Sequence, residues 1–509
     1  MKVALLSTNT YPSDQGIRHV SSMLKKHGHF VKVFFLSEAE NYSKKYSRRV
    51  LAQLYRMCKD FDVIGVSSYA STSVRAIQLV HHLKTLDKPI IWGGVHATIS
   101  PDKCIEHVDL VCVGEGEFTM LELLDKIEEK QDITNIANLW VRKGAVVYKN
   151  EIRNLIQELD SLPPPDYDLE DHYILEHDKI VPFDERHLNG MIFFQTERGC
   201  PNSCQYCQNA LLRKLSMGKG KAIRFNSIDY AVKEMARLKN KFKTLSVFDI
   251  RDETLFARPL SDFEEFNRRY KKEVGIRFKC LADPPTMDER KLALLVDAGL
   301  TDIIIGIQGS ERVNFEIYKR FITDAQIVKA ASIVNKFRDK VAVMYDVITT
   351  NPYEEKEDIV NLINLLISLP KPYYLSVNNL VFFFGTPLYD KAIKDRVIKT
   401  KKDSAFDLNY WDRWKHIKLK RKNAYLNLVL NLMRGPCTDK RYGLIPYFLL
   451  KKLVKPGIVS FNLEHKSPTY FVGFFVQFFD FMRENVAKPV YRSMPVSFKV
   501  WYDRVRYRV

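Results

Sequence analysis

The chain has 509 residues, 46% of them hydrophobic and 12% aromatic, which suits a globular body but is too long for one core, so two to four domains are expected. Its formal charge of +18 is uneven: Lys391 to Val509 holds 26 Lys or Arg against 9 Asp or Glu, which leaves the first 390 residues near neutral. No run reaches the roughly eighteen apolar residues of a membrane span, Met1-Lys2-Val3-Ala4-Leu5-Leu6-Ser7 is too short for a signal peptide, and eight cysteines without regular pairing point to a reducing cytoplasm.

Residues 1–130 alternate short apolar runs with helical stretches. The runs are Val3–Leu6, Val31–Leu36, Val63–Val66, Ile90–Trp92 and Leu110–Val113. Five such βα units predict a Rossmann-like, doubly wound parallel sheet that binds ligands at the carboxyl ends of its strands. The loops at those ends read Ser67-Ser68-Tyr69, Gly93-Gly94-Val95-His96 and Gly114-Glu115-Gly116-Glu117. Paired glycines there either admit a bulky ligand to the backbone or simply make a turn. Trp140–Val147, with Lys143-Gly144 at its centre, predicts a hairpin. Leu162-Pro163-Pro164-Pro165 can continue neither helix nor sheet, so the first domain is expected over 1–150 and a linker over 151–189.

From 190 to 390 six strand patterns alternate with helices, which predicts a partial (β/α)6 barrel with its chemistry on the loops after the strands. The first of these strands, Met191–Thr196, runs into Glu197-Arg198-Gly199-Cys200-Pro201-Asn202-Ser203-Cys204-Gln205-Tyr206-Cys207. Three thiolates turned toward one point make a soft-ligand site, for zinc or for an iron–sulfur cluster. No fourth Cys or His lies close by, which leaves one metal corner open to a substrate. Further strand-end loops carry Asp249-Ile250-Arg251-Asp252-Glu253 and Gly306-Ile307-Gln308-Gly309-Ser310, with Arg320 shortly after.

The Cys-x3-Cys-x2-Cys spacing, with Tyr206 before the last cysteine, resembles the signature of the radical S-adenosylmethionine (SAM) superfamily. The resemblance implies a 4Fe–4S cluster on Cys200, Cys204 and Cys207, whose open iron chelates SAM and whose electron, from an external donor, cleaves it to a 5′-deoxyadenosyl radical. It also implies SAM contacts from Tyr206, Asp249, Asp252, Glu253, Gln308, Ser310 and Arg320, although one residue is missing between Gln308 and Gly309 relative to the family pattern. The N-terminal loops, in their order, resemble the cobalamin-binding domain of one branch of that superfamily. This implies cobalamin contacts from Ser67, Tyr69, Gly93, Gly94, Val95, His96, Gly114, Glu115 and Gly116. The first loop, Thr8 to Gly16, lacks the Asp-x-His-x-x-Gly of the mutases, so no protein imidazole is expected on cobalt. The activity implied is methyl transfer to an unactivated carbon of a small hydrophobic substrate. Radical ring formation or rearrangement is the alternative within the branch, and a non-catalytic iron–sulfur protein that binds RNA is the alternative outside it.

Residues 391–509 resemble nothing familiar and are expected to be mostly helical. They are basic and aromatic, with Trp411, Trp414, Tyr447, Phe448, Trp501 and Tyr502 among the charges. In Thr469–Met482, positions 471, 474, 475, 478, 479 and 482 share one helical face, as in a buried helix or an interfacial one. Basic charge beside such a face predicts attraction to an anionic membrane surface, hence a cytoplasmic enzyme at the membrane periphery. Nucleic acid, stacked on the aromatics, is the weaker alternative.

Overall fold

The structure is a computed structural model and describes residues 1–9, 12, 14–37, 45–398, 421–457 and 459. Its described residues divide into two compact units, one within 1–245 with 381–398 and the other from 246–380 with 421–457 and 459.

The first unit is built on strands β1 (Lys2–Ser7), β2 (Phe30–Phe35), β3 (Val63–Ser67), β4 (Ile90–Gly93) and β5 (Leu110–Cys112). They run parallel in the order β5-β4-β3-β1-β2. Parallel strands covered by helices on both faces must be apolar throughout, and Val3 to Leu6 are all buried. The chain reverses direction across the sheet between β1 and β3, the position at which such sheets open a crevice for ligands. The predicted hairpin is present as β6 (Leu139–Lys143) and β7 (Val146–Lys149), antiparallel on β5. At the opposite edge the segment read as a linker adds β8 (His172–Glu176), parallel to β2, and β9 (Lys179–Pro182), antiparallel to β8. Their turn places His177 and Asp178 both at positive φ, 46° and 62°.

The same unit continues with β10 (Met191–Phe194), β11 (Glu197–Arg198) and β12 (Arg224–Phe225). The last two pair antiparallel and form the neck of the loop that holds the three clustered cysteines.

In the second unit β13 (Val247–Ile250), β14 (Arg277–Ala282), β15 (Leu300–Gln308), β16 (Ala342–Thr349) and β17 (Tyr373–Asn379) form a parallel sheet in chain order. One face of this sheet is buried under helices while the other is half-open, so burial alternates along β15, β16 and β17. The C-terminal region contributes helix Arg421–Met433, helix Tyr447–Leu453 and three short strands that the sequence did not suggest: β18 (Gly435–Cys437), β19 (Arg441–Tyr442) and β20 (Ile445–Pro446). β18 extends the sheet antiparallel to β17. Among the described residues no helix is long and apolar enough to cross a membrane. The apolar run 469–482 and Trp411, Trp414, Trp501 and Tyr502 lie outside the described residues.

Candidate functional site

At the carboxyl edge of the first sheet, polar side chains bond to one another around the β1 and β3 ends. Asp14 accepts from the Ser7 hydroxyl at 2.7 Å and the Asn9 amide at 2.6 Å, and Asn9 in turn accepts from the Tyr69 backbone N–H at 2.7 Å. The two predicted glycines play different parts. Gly94 has φ +87°, and a Cβ there would lie 2.8 Å from Ser67 Oγ and 3.1 Å from the Ser68 nitrogen. It is glycine because the β3 loop crowds it. A Cβ on Gly93 would meet only the Cys112 Cβ, at 3.6 Å, so its missing side chain leaves open space. That space, with half-buried Val95 two positions on and half-exposed Tyr69 in the loop after the paired strand β3, fits the cradle a large cofactor needs.

Four other residues assigned to that cradle are turned to structural ends. His96 is buried with its ring 5.6 Å from Trp92, and burial together with the charge of His107 pushes its imidazole down to about 4. Gly114 accommodates a positive φ of 99° against Asn138. Glu115 accepts from Arg198 at 3.1 Å, from Arg224 at 2.7 Å and from the Ile156 N–H at 2.8 Å. Gly116 is the N-cap of the helix that begins with Glu117. Burial alone would raise the Glu117 carboxyl, but Arg198, 2.6 Å away, outweighs it and holds the group below its usual range.

The cysteine loop is shaped at its root. Gly199, at φ +102°, passes so close to Ala222 that a Cβ would fall 2.1 Å from its carbonyl oxygen. Cys207 caps helix Gln208–Leu215, and the Asn209 N–H reaches its sulfur at 3.5 Å. Tyr206 precedes it in the same turn. Cys200 and Cys207 are half-buried and Cys204 is buried. The other five cysteines are buried, and desolvation drives their thiols up, to about 12 for Cys58, Cys112 and Cys437, so they are poor ligands. Among the described residues no three His, Cys, Asp or Glu side chains yet surround a common point. The loop supplies the donors on one segment, and three soft thiolates suit an iron–sulfur cluster with one open corner.

In the second unit the predicted polar residues gather at the ends of β13 to β16. Asp249 is buried and accepts from Arg251 at 2.7 Å, while its Oδ1 has no hydrogen bond in the structure. Asp252 is buried and Glu253 is exposed. The residue missing after Gln308 is accommodated by a bulge: the register slips between Gly306 and Gln308, and Gln308 takes φ +68°. Gly306 leaves room for both neighbours, since a Cβ would lie 2.7 Å from Gln308 Nε2 and 3.1 Å from the Arg320 guanidinium. Arg320 is buried and donates to Asp283, which the sequence reading overlooked. Ser310 is turned inward instead, donating to Asp358 at 3.2 Å and accepting from the Val313 N–H, so its hydroxyl serves the loop and not a ligand. Asp346 lies on β16, whose end resembles the family's fifth strand end, and no ligand contact is expected of it from the sequence. It stands in register with Gly306 and Ser376, and burial raises its carboxyl.

Two family models match this chain: the radical SAM superfamily over residues 195–366, and the B12 binding domain over residues 1–124. The chain thus carries a B12-binding domain followed by a radical SAM domain, the pairing that marks the B12-binding branch of that superfamily. Its fold is the α/β arrangement of that branch, with the B12-binding sheet first and the radical SAM barrel strands after it. The structure of the radical SAM methyltransferase TsrM from Kitasatospora setae, solved with cobalamin and a 4Fe–4S cluster bound, shares that fold. Its TM-score is 0.63, at 15% identity over 94% of this chain and 99% of TsrM. An uncharacterized methyltransferase of Pyrococcus horikoshii is 24% identical over 82% of this chain and 87% of its own length. The bacteriochlorophyllide d C-8(2)-methyltransferase of Chlorobaculum tepidum is 23% identical over 51% of this chain and 53% of its own.

Proposed function

We propose that this radical SAM enzyme methylates an unactivated carbon of a small hydrophobic molecule, using a 4Fe–4S cluster, SAM and cobalamin. The observation that carries the reading is the joining, in one unit, of an open-cradled B12-type sheet edge to a neck-closed loop with three clustered cysteines. When bound, the cluster supplies the electron that cleaves SAM, and cobalamin supplies the methyl group. Cys200, Cys204 and Cys207 are the cluster ligands, and Cys207 also caps the helix that follows. Gly93 would give the cobalamin room, and Tyr69 and Val95 stand on the strand-end loops next to it. Asp249, with its unbonded buried oxygen, is suited to accept from the methionine ammonium, since such charge-assisted bonds are about twice as strong as neutral ones. Gln308 and Arg320 complete the polar rim.

The apolar substrate class is supported by the half-open face of the second sheet. Leu281, Ile304, Met344 and Tyr374 lie in register across four strands and are all half-buried. A row of that kind offers an apolar wall with a flexible thioether in it.

The test is anaerobic reconstitution with dithionite as electron donor. The wild-type enzyme is expected to form 5′-deoxyadenosine from SAM, and a substrate in which one hydrogen is replaced by methyl identifies the transfer. Cys200→Ala, Cys204→Ala and Cys207→Ala should each abolish cleavage, while Cys58→Ala and Cys437→Ala leave it. Cleavage that survives in the triple cysteine variant would remove the assignment.

A further inference from the structure

Arg198 and Arg224 face each other as register partners in a ladder only two residues long on each strand. So short a ribbon is marginal on its own, and two like charges directly opposite each other weaken it further. Yet this ribbon closes the neck of the whole cysteine loop, and Arg198 stands two residues before Cys200. What balances it is the turn after β5. Glu115 Oε1 lies between both guanidiniums, 3.1 Å from Arg198 and 2.7 Å from Arg224, and Glu117 takes the other arm of Arg198 at 2.6 Å. The second oxygen of Glu115 and the Arg224 guanidinium both bond to the Ile156 backbone, at 2.8 Å each, which ties the quartet to the segment after the β6–β7 hairpin. Two cations meet two anions, and Glu117 and Arg224 are buried.

We propose that Glu115 and Glu117 are positioning residues for the cysteine loop, neutralising the Arg198–Arg224 pair so that the B12-type domain fixes the loop's root. The resemblance gave Glu115 to cobalamin, and the geometry gives both carboxylates to the loop. Because Glu115 and Glu117 stand on the last βα turn of the cofactor sheet, any shift of that turn is transmitted to the strand that leads into Cys200. That the loop carries a cluster rests on the function proposed above; that the quartet holds the loop does not.

The experiment therefore has an arm that needs no cofactor. In the full-length apo protein the loop offers trypsin exposed Arg213, Lys214 and Lys221. Native-state cleavage there follows the population of the opened loop. Glu115→Gln and Glu117→Gln should each speed cleavage in this stretch about tenfold, the scale of one weakened charge-assisted bond. Cobalamin uptake should stay at the wild-type level. In reconstituted protein the same variants should lose iron to a chelator faster by a similar factor and broaden the electron paramagnetic resonance signal of the reduced cluster. Arg198→Lys, which keeps the charge with a single donor, should fall between wild type and the glutamine variants. It carries the test if either glutamine variant fails to fold. Unchanged cleavage and unchanged iron loss would overturn the proposal, as would loss of cobalamin with an undisturbed loop. Wild-type protein that takes up no cluster, yet shows the proteolytic effect, would instead overturn the function while leaving the positioning role intact.

Discussion

Gly93 and Gly94 are neighbours of one chemical type, yet only one of them is free to change. Gly93 is extended, with φ −124° and ψ −166°, so any residue adopts its backbone, and a side chain there would enter space that only Cys112 borders. Gly94 combines a positive φ with close approaches to the Ser67 hydroxyl and the Ser68 backbone that crowd any Cβ. A side chain at Gly94 costs on the order of 1–3 kcal/mol from φ alone, before any clash. Gly93→Trp is therefore expected to fold with an unshifted melting temperature, to keep the iron–sulfur absorption and to lose bound cobalamin. Gly94→Trp should lose cobalamin and melting temperature together. Cofactor extraction and circular dichroism separate the two, and a Gly93→Trp protein with its full complement of cobalamin would show that the open space is not the cradle. The paired glycines were legible in the sequence because both sit at a strand end. Their division of labour was not, since it depends on the β3 loop, more than twenty positions earlier in the chain.

At the level of elements, what the sequence hid had ordinary physical causes. The β8–β9 hairpin turns on His177-Asp178, two residues at positive φ where Asn-Gly would have announced the turn. Glu115 and Arg198 are 83 residues apart, and no local pattern links them. The cysteines were legible because a shared ligand sets their spacing. Helix Arg421–Met433 went unread although it carries Asn423, Asn427 and Asn431 at intervals of four, a ladder of poor helix formers on one face. That face has a task. Buried Asn427 accepts from the Thr350 N–H at 2.7 Å and from the Thr349 hydroxyl, at a point where Thr350 has φ +57° and the strand has ended. Its amide donates back to the Asn423 carbonyl at 2.7 Å. Asn427→Ala removes the acceptor and leaves a buried N–H unpaired, at a cost of about 1–3 kcal/mol. Asn431, half-buried and bonded only to the Asn427 carbonyl, should cost less than about 1 kcal/mol when changed to Ala. Urea midpoints measure both. Equal losses from the two substitutions would mean that the helix docks by its apolar face alone.

For the whole molecule, the charge distribution read from the sequence gains a finer division from the structure. Residues 391–459 hold 18 Lys or Arg against 5 Asp or Glu, whereas 460–509 hold 8 against 4 but contain the Phe-rich run 469–482. Cutting near Lys391 would take away helix Arg421–Met433, whose Asn427 closes the end of β16, so such a truncation tests folding and not membrane affinity. A chain ending at Val459 keeps that helix and most of the charge. It also keeps Leu444 and Phe448, 62% and 69% exposed, in a stretch that includes Lys440, Arg441, Lys451 and Lys452. Each basic residue near an anionic surface contributes about 1 kcal/mol and is screened within a Debye length, while apolar insertion is insensitive to salt. We therefore expect the full-length enzyme to float with anionic liposomes at low salt and in part at high salt. The chain ending at Val459 should float at low salt only, because it has lost the Phe-rich run and little of the charge. Neutral liposomes should capture neither efficiently. If full-length enzyme stays at the bottom of the gradient at low salt but shifts RNA in a gel, the basic region serves nucleic acid and the membrane reading is wrong.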